Sequence, residues 1–219
     1  MKALIFDLDG TLIDSVYAHT YAWQKTLAQF GLESPAWAVH RRIGMSGRLL
    51  VRAVAREHGR SLSEAVVDKL EEQHGTLFQT LASSCAPLPG ARELLAFLQE
   101  RNIAHGIATS GTRSSIEPSL RALSLSPDAV VVDGDRVDTV KPEPDLFLRC
   151  QQQLGVDASQ CLVVGDAVWD IHAARRSGIL SVGLLSGGSG EQELYNAGAM
   201  RVYRDAAVLH QAIEELGFL

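Results

Sequence analysis

The chain of 219 residues is poor in cysteine, lysine and aromatic side chains: three cysteines, four lysines and 6% aromatics. Cys85, Cys150 and Cys161 are scattered and form no CxxC pair, which excludes a disulfide framework and a cysteine-based zinc site. The seven histidines show no HxH or HExxH spacing, so a histidine zinc centre is not indicated either. Basic charge is also short: 20 Lys and Arg against 26 Asp and Glu leave a net charge of -6, which argues against a nucleic-acid surface spread over the molecule. There are no repeats and no low-complexity tract. No apolar run is long enough for a membrane span or a signal core, so a cytoplasmic protein with no membrane partner is expected.

What is present begins with "MKALIFDLDGTLIDS". Ala3 to Phe6 read as a short buried strand that stops on Asp7 and Asp9, followed by Gly10 and Thr11. Residues two apart on a strand point to one side, so the two carboxylates converge if the strand geometry continues that far. Like charges so close require a cation or a shared proton. Asp-Gly is also a common turn dipeptide, and this stretch alone does not separate a site from a solvated turn.

With 46% hydrophobic residues the chain can fill one sizeable core, or a core and a smaller lobe. From Tyr17 to Phe30, Gly47 to His58 and Leu62 to Leu81, apolar residues recur at helical spacing, with no strand between. "SSCAPLPG" breaks this pattern, and strands then alternate with helices: a helix over Ala91 to Leu98, strands in "IAHGIATS", "DAVVVD", "CLVVGD", "GILSVGLL" and "AMRVY", and a closing helix from Ala206 to Leu216. Such alternation predicts an α/β fold with a parallel sheet wrapped on both faces.

The C-terminal ends of parallel strands form the ligand-binding edge of such a sheet. Asp7 and Asp9 end the first strand, Thr109 and Ser110 the second, and Asp166 a later one, with Asp170 on the first turn of the helix that follows. Lys141 stands in "VKPEPD", on a loop stiffened by two prolines. Singly, these residues read as caps, turns and a solvated lysine. Together they account for one hard cation, Mg2+, and one phosphoryl group. Asp7 would attack phosphorus, Asp9 would handle the proton with its pKa raised, and Thr109 and Lys141 would balance charge on the equatorial oxygens.

In order, "DLDGT", "ATS", "KPEPD" and "GDAVWD" resemble the four motifs of the haloacid dehalogenase superfamily, in its subgroup with a small helical cap that includes phosphoglycolate phosphatases. The resemblance implies a Rossmann-like catalytic core over residues 1–14 and 88–219, with an all-helical cap domain inserted over residues 15–87. It implies Asp7 as nucleophile, Asp9 as general acid and base, Thr109 and Lys141 as phosphate ligands, and Mg2+ held by Asp7, Asp9, Asp166 and Asp170. Ser110, His19 and Arg48 join the candidate substrate-binding residues. Ala167, where relatives often carry a hydroxyl, and Val140, where Gly is frequent, depart from the pattern.

The expected activity is hydrolysis of a small phosphorylated metabolite. Asp9 argues against dehalogenation, which needs no acid for a departing halide. A sugar phosphomutase of the β-phosphoglucomutase type is the enzyme alternative, with His19 placing the acid, although Thr11 is more typical of the phosphatases. A receiver-like phosphorylation switch is disfavoured by the motif order. Ser34 to Arg56 carry no acidic residue but five arginines, Arg41, Arg42, Arg48, Arg52 and Arg56. Arg41, Arg42 or Arg48 is expected to bind a second anionic group on the substrate, as in phosphoglycolate.

Overall fold

The computed structural model describes residues 1–126 and 128–218. The expected outer limit at Leu219 lies outside the described residues. Strand β1 (Ala3–Phe6) leads into helices α1 (Val16–Gln29), α2 (Ala36–His40), α3 (Gly47–Glu57) and α4 (Glu64–Ala82). The chain continues through α5 (Ala91–Glu100), β2 (Ala104–Ala108), α6 (Arg113–Leu123), β3 (Val130–Val132), α7 (Asp145–Leu154), β4 (Cys161–Gly165), α8 (Val168–Ser177) and β5 (Leu180–Leu184). It finishes with α9 (Glu191–Ala197), β6 (Arg201–Tyr203) and α10 (Ala206–Gln211).

The six strands form one parallel sheet in the order β3-β2-β1-β4-β5-β6. Alternation along each strand divides the core into two layers. Leu4, Phe6, Leu162, Val164, Val182 and Leu184 face a layer completed by residues of α5, α6 and α10. Ala3, Ile5, Cys161 and Val163 face a second layer, completed by Leu146, Phe147 and Cys150 of α7 and Ala173 and Ala174 of α8. Both faces being covered explains why the strands read as near-continuous apolar runs.

A third apolar cluster, separate from the sheet, holds Trp23, Leu27, Val39, Leu50, Val54, Val67 and Leu70 of α1 to α4. The connections to these helices run side by side: Ile13 pairs antiparallel with Pro87, Leu88 donates its N–H to Leu12, and Asp14 donates to Ala86. Two short helices differ from the expected pattern. At five and seven residues, α2 and α9 are too short to show a helical period in sequence. The closing helix ends at Gln211 rather than Leu216, and the chain goes on in turns. No helix among the described residues is long and apolar enough to cross a membrane.

Candidate active site

Strand order and register bring the expected residues together. Central β1 is flanked by β2 and β4, with Phe6 opposite both Ile107 and Val164. The residues that follow the last position of each strand emerge along the same edge: Asp7, whose N–H bonds to the Val164 carbonyl, Thr109, whose N–H bonds to the Val132 carbonyl, and Asp166.

Asp7, Asp166 and Asp170 are buried and place one carboxylate oxygen each within 4.8 Å of one another. Thr11 donates to Asp166 Oδ1 at 2.9 Å. Asp170 divides its two oxygens. Oδ2 accepts the Ala167 N–H at the start of α8 at 3.0 Å, while buried Oδ1 turns to the cluster and to Lys141. The helix-start reading and the site reading of Asp170 thus hold together, one for each oxygen.

Lys141 is 1% exposed, pairs with Asp7 Oδ1 and lies 2.8 Å from Asp170 Oδ1. One ammonium among three buried carboxylates leaves excess negative charge. Burial and then Asp170 outweigh the pull of Lys141 and raise the Asp7 carboxyl to about 7. Burial followed by the charges of Asp170 and Asp7 holds Asp166 well above the usual range. Burial alone would lower the Lys141 ammonium, but Asp170 and Asp7 outweigh it and raise it. An oxygen-only set of three converging carboxylates with surplus negative charge fits a hard divalent cation.

Gly10 and Gly187 make the cluster possible. Gly10 has φ +85°, and a Cβ there would sit 2.5 Å from Asp166 Oδ2; a Cβ on Gly187 would collide with the same oxygen.

Asp9 faces elsewhere. The Ser15 hydroxyl donates to its Oδ1 at 2.5 Å, and His19 Nε2 lies 3.4 Å from the same oxygen. Burial would raise Asp9, but the charge and hydrogen bond of His19, with Ser15, hold it below the usual carboxylate range. The expected ordering of the two carboxyls is therefore reversed. Asp7 is the raised one and Asp9 the lowered one.

A cleft of about 160 Å3 opens over Asp7 and is lined also by Asp9, His19, Thr109, Ser110 and Lys141. Thr109 Oγ1 accepts the Gly111 N–H at 3.1 Å, leaving its own proton to donate, and buried Ser110 Oγ has no partner. Trp23, Arg42, Glu71 and His74 form part of its outer wall. Arg48 does not line this cleft: it is held by Glu64, Asp68 at 2.6 Å and Glu71 at 2.9 Å. Arg41 pairs with Glu193 beside a second cavity of about 200 Å3 that reaches the far side of Asp166. Among the described residues, Arg42 is the arginine of the 41–56 group that lines the cleft over Asp7; it also pairs with Glu57.

Sequence reasoning passed over His74. The available signal was a pair of i,i+4 couples, His19 with Trp23 on α1 and His74 with Phe78 on α4, which stack face to face.

Residues 1–178 match the family of haloacid dehalogenase-like hydrolases. The chain is 33% identical over 216 residues to a phosphoglycolate phosphatase of Rhodospirillum rubrum, covering 95% of this chain and 89% of that protein. It is 31% identical over 193 residues to the β-phosphoglucomutase of Bacillus subtilis, covering 85% of this chain and 84% of that one. The crystal structure of a hydrolase from Pseudomonas syringae superposes with a TM-score of 0.95 at 42% identity, over 99% of both chains.

Proposed function

The chain belongs to the haloacid dehalogenase-like hydrolase family, and we propose that it is a magnesium-dependent phosphatase that cleaves a small phosphomonoester through an aspartyl-phosphate on Asp7. The observation that carries this reading is the meeting of Asp7 with Lys141, Thr109 and the unpartnered Ser110 hydroxyl at the floor of one cleft. Asp7, Asp166 and Asp170 would hold Mg2+, which when bound offsets the negative charge of the carboxylates and the phosphoryl group.

The Asp7 carboxylate attacks phosphorus as the bond to the leaving oxygen breaks. Asp9, entering the step in its protonated form, gives its proton to that oxygen. A water then attacks phosphorus, Asp9 takes its proton, and phosphate departs with Asp7 restored. Lys141, Thr109 and Ser110 hold the equatorial oxygens throughout. Residues 15–87 act as a cap over a core of residues 1–14 and 88–219, and the cap closes the cleft to bulk water.

The substrate's leaving part carries a second anionic group that meets Arg42. Phosphoglycolate satisfies this, in keeping with the Rhodospirillum rubrum relative. The contact between Asp9 and His19, with the Bacillus subtilis relative, favours a phosphomutase as the second reading. Phosphate release from a panel of phosphomonoesters, in Mg2+ and then in EDTA, tests the proposal with wild type and Asp7→Asn. Mg2+-dependent release that Asp7→Asn abolishes supports it; sugar-phosphate isomerisation without release would replace it with the mutase reading.

A further inference from the structure

The segment 40–46, which ends α2 and leads into α3, is seated on the core at successive points. His40 Nε2 lies 2.9 Å from the Gly187 carbonyl, and Arg41 pairs with Glu193. Trp169 Nε1 donates to the Arg41 carbonyl at 3.1 Å, and the Ser46 N–H bonds to the Lys141 carbonyl at 2.9 Å. Between them Gly44, at φ +93°, is pressed close: a Cβ there would sit 2.9 Å from Ala167 Cβ and 3.6 Å from Trp169 Cδ1. Arg42, which lines the cleft over Asp7, stands inside this span.

We propose that Trp169 is a positioning residue for substrate binding: its indole N–H fixes the Arg41 carbonyl and so holds residues 41–46 on the core with Arg42 in the wall of the cleft. This rests on the reading of Arg42 as the ligand of the substrate's second anionic group.

Of these contacts, the indole bond is the one suited to set direction. The Arg41–Glu193 pair lies near the surface, where ion pairs contribute little. The Arg41 carbonyl instead ends α2, where the last carbonyls lack a partner within the helix. Indole has one N–H and no acceptor, so it can meet that carbonyl in only one way. Its own place is fixed, because Trp169 is on the first turn of α8, whose start is held by the bond from the Ala167 N–H to Asp170. The same ring lies against Gly44, so one side chain holds both ends of the turn that carries Arg42 and Ile43. Trp169 lines the cavity on the far side of Asp166 and not the cleft over Asp7, so it acts through Arg42 rather than on the substrate.

Trp169→Phe tests this, because phenylalanine keeps a flat ring beside Gly44 and removes the donor. KM for phosphoglycolate should rise about fivefold, the worth of one hydrogen bond between neutral groups, with kcat within about twofold. For p-nitrophenyl phosphate, which has no second anion, KM should stay within about twofold. In an Arg42→Ala background, Trp169→Phe should add less than about twofold on either ester, because the residue it positions is gone. Equal rises on both esters, or a phosphoglycolate rise that persists in full without the Arg42 side chain, would overturn the proposal.

Amide hydrogen exchange in the unliganded, metal-free protein gives a reading that needs no turnover. The Ser46 amide, bonded to Lys141 across the same contact, should exchange about fivefold faster in Trp169→Phe, while the amides of β4 keep their wild-type rates. A wild-type rate at Ser46, or equal acceleration at Ser46 and in β4, would overturn the anchor. If Arg42→Ala alone leaves KM for phosphoglycolate unchanged, it is the reading of Arg42 that fails, and exchange at Ser46 still decides whether Trp169 holds the segment.

Discussion

Replacing Lys141 by methionine removes the cation from a buried acidic cluster while keeping most of the side chain's length. Its ammonium pairs with Asp7, lies 2.8 Å from Asp170, and is 1% exposed. Breaking a buried ion pair from one side costs about 3–5 kcal/mol, because the surviving charge is left unpaired. In a chain of this size 1 kcal/mol moves Tm by about 2–4 °C, so the loss comes to roughly 6–20 °C. The assay is thermal unfolding in EDTA, with Lys141→Arg as the control that keeps a cation.

The loss must also depend on pH, with a fixed sign. The Asp7 carboxyl is already raised to about 7 from 3.8 by burial and Asp170, so between those values the folded chain holds more protons than the unfolded one. Stability carried by this group is therefore greatest near pH 4, is lost as pH rises through about 7, and is level above that window. Without Lys141 the carboxyl rises further, so Lys141→Met loses most near pH 8 and recovers part of the loss near pH 5.5. A Tm change below about 3 °C at pH 8, or one equal at both pH values, would show that Lys141 does not compensate these carboxylates.

Two further outcomes follow from the same site. Mg2+ at about 100 times its Kd should stabilise the protein by about 2.7 kcal/mol, a rise of roughly 5–11 °C in Tm, and Asp170→Asn should remove most of that rise in a calorimetric titration. Arg42→Ala should raise KM for phosphoglycolate roughly 10- to 100-fold, the equivalent of one charge-assisted hydrogen bond, and leave p-nitrophenyl phosphate within about twofold. Arg48→Ala should leave both KM values unchanged, because Glu64, Asp68 and Glu71 already hold that guanidinium on a half-exposed face.

The strand-end residues were legible because parallel strands buried on both faces announce themselves as short apolar runs, and the polar residue after each run must lie on the ligand edge. Asp7, Thr109 and Asp166 needed only that rule and a strand order with β1 between β2 and β4. Asp9 did not follow from it. The alternation that would align Asp9 with Asp7 ends at Phe6, and Gly10 at φ +85° turns the chain there.

What aims the Asp9 carboxylate is Ser15 at the entrance to α1 and His19 one turn later, contacts between segments that no spacing within β1 encodes. The arginines show a different limit. The 48, 52, 56 stripe was visible as a basic helix face, but its partner was an acidic face at 64, 68 and 71 on the next helix. Arg48 and Arg52 pair with that face, and Arg42, outside the stripe, is left to line the cleft. A charge stripe is thus better tested first against the neighbouring helix than against a ligand, and His19 and His74, also on adjacent helices, obey the same pairing logic at the edge of the site.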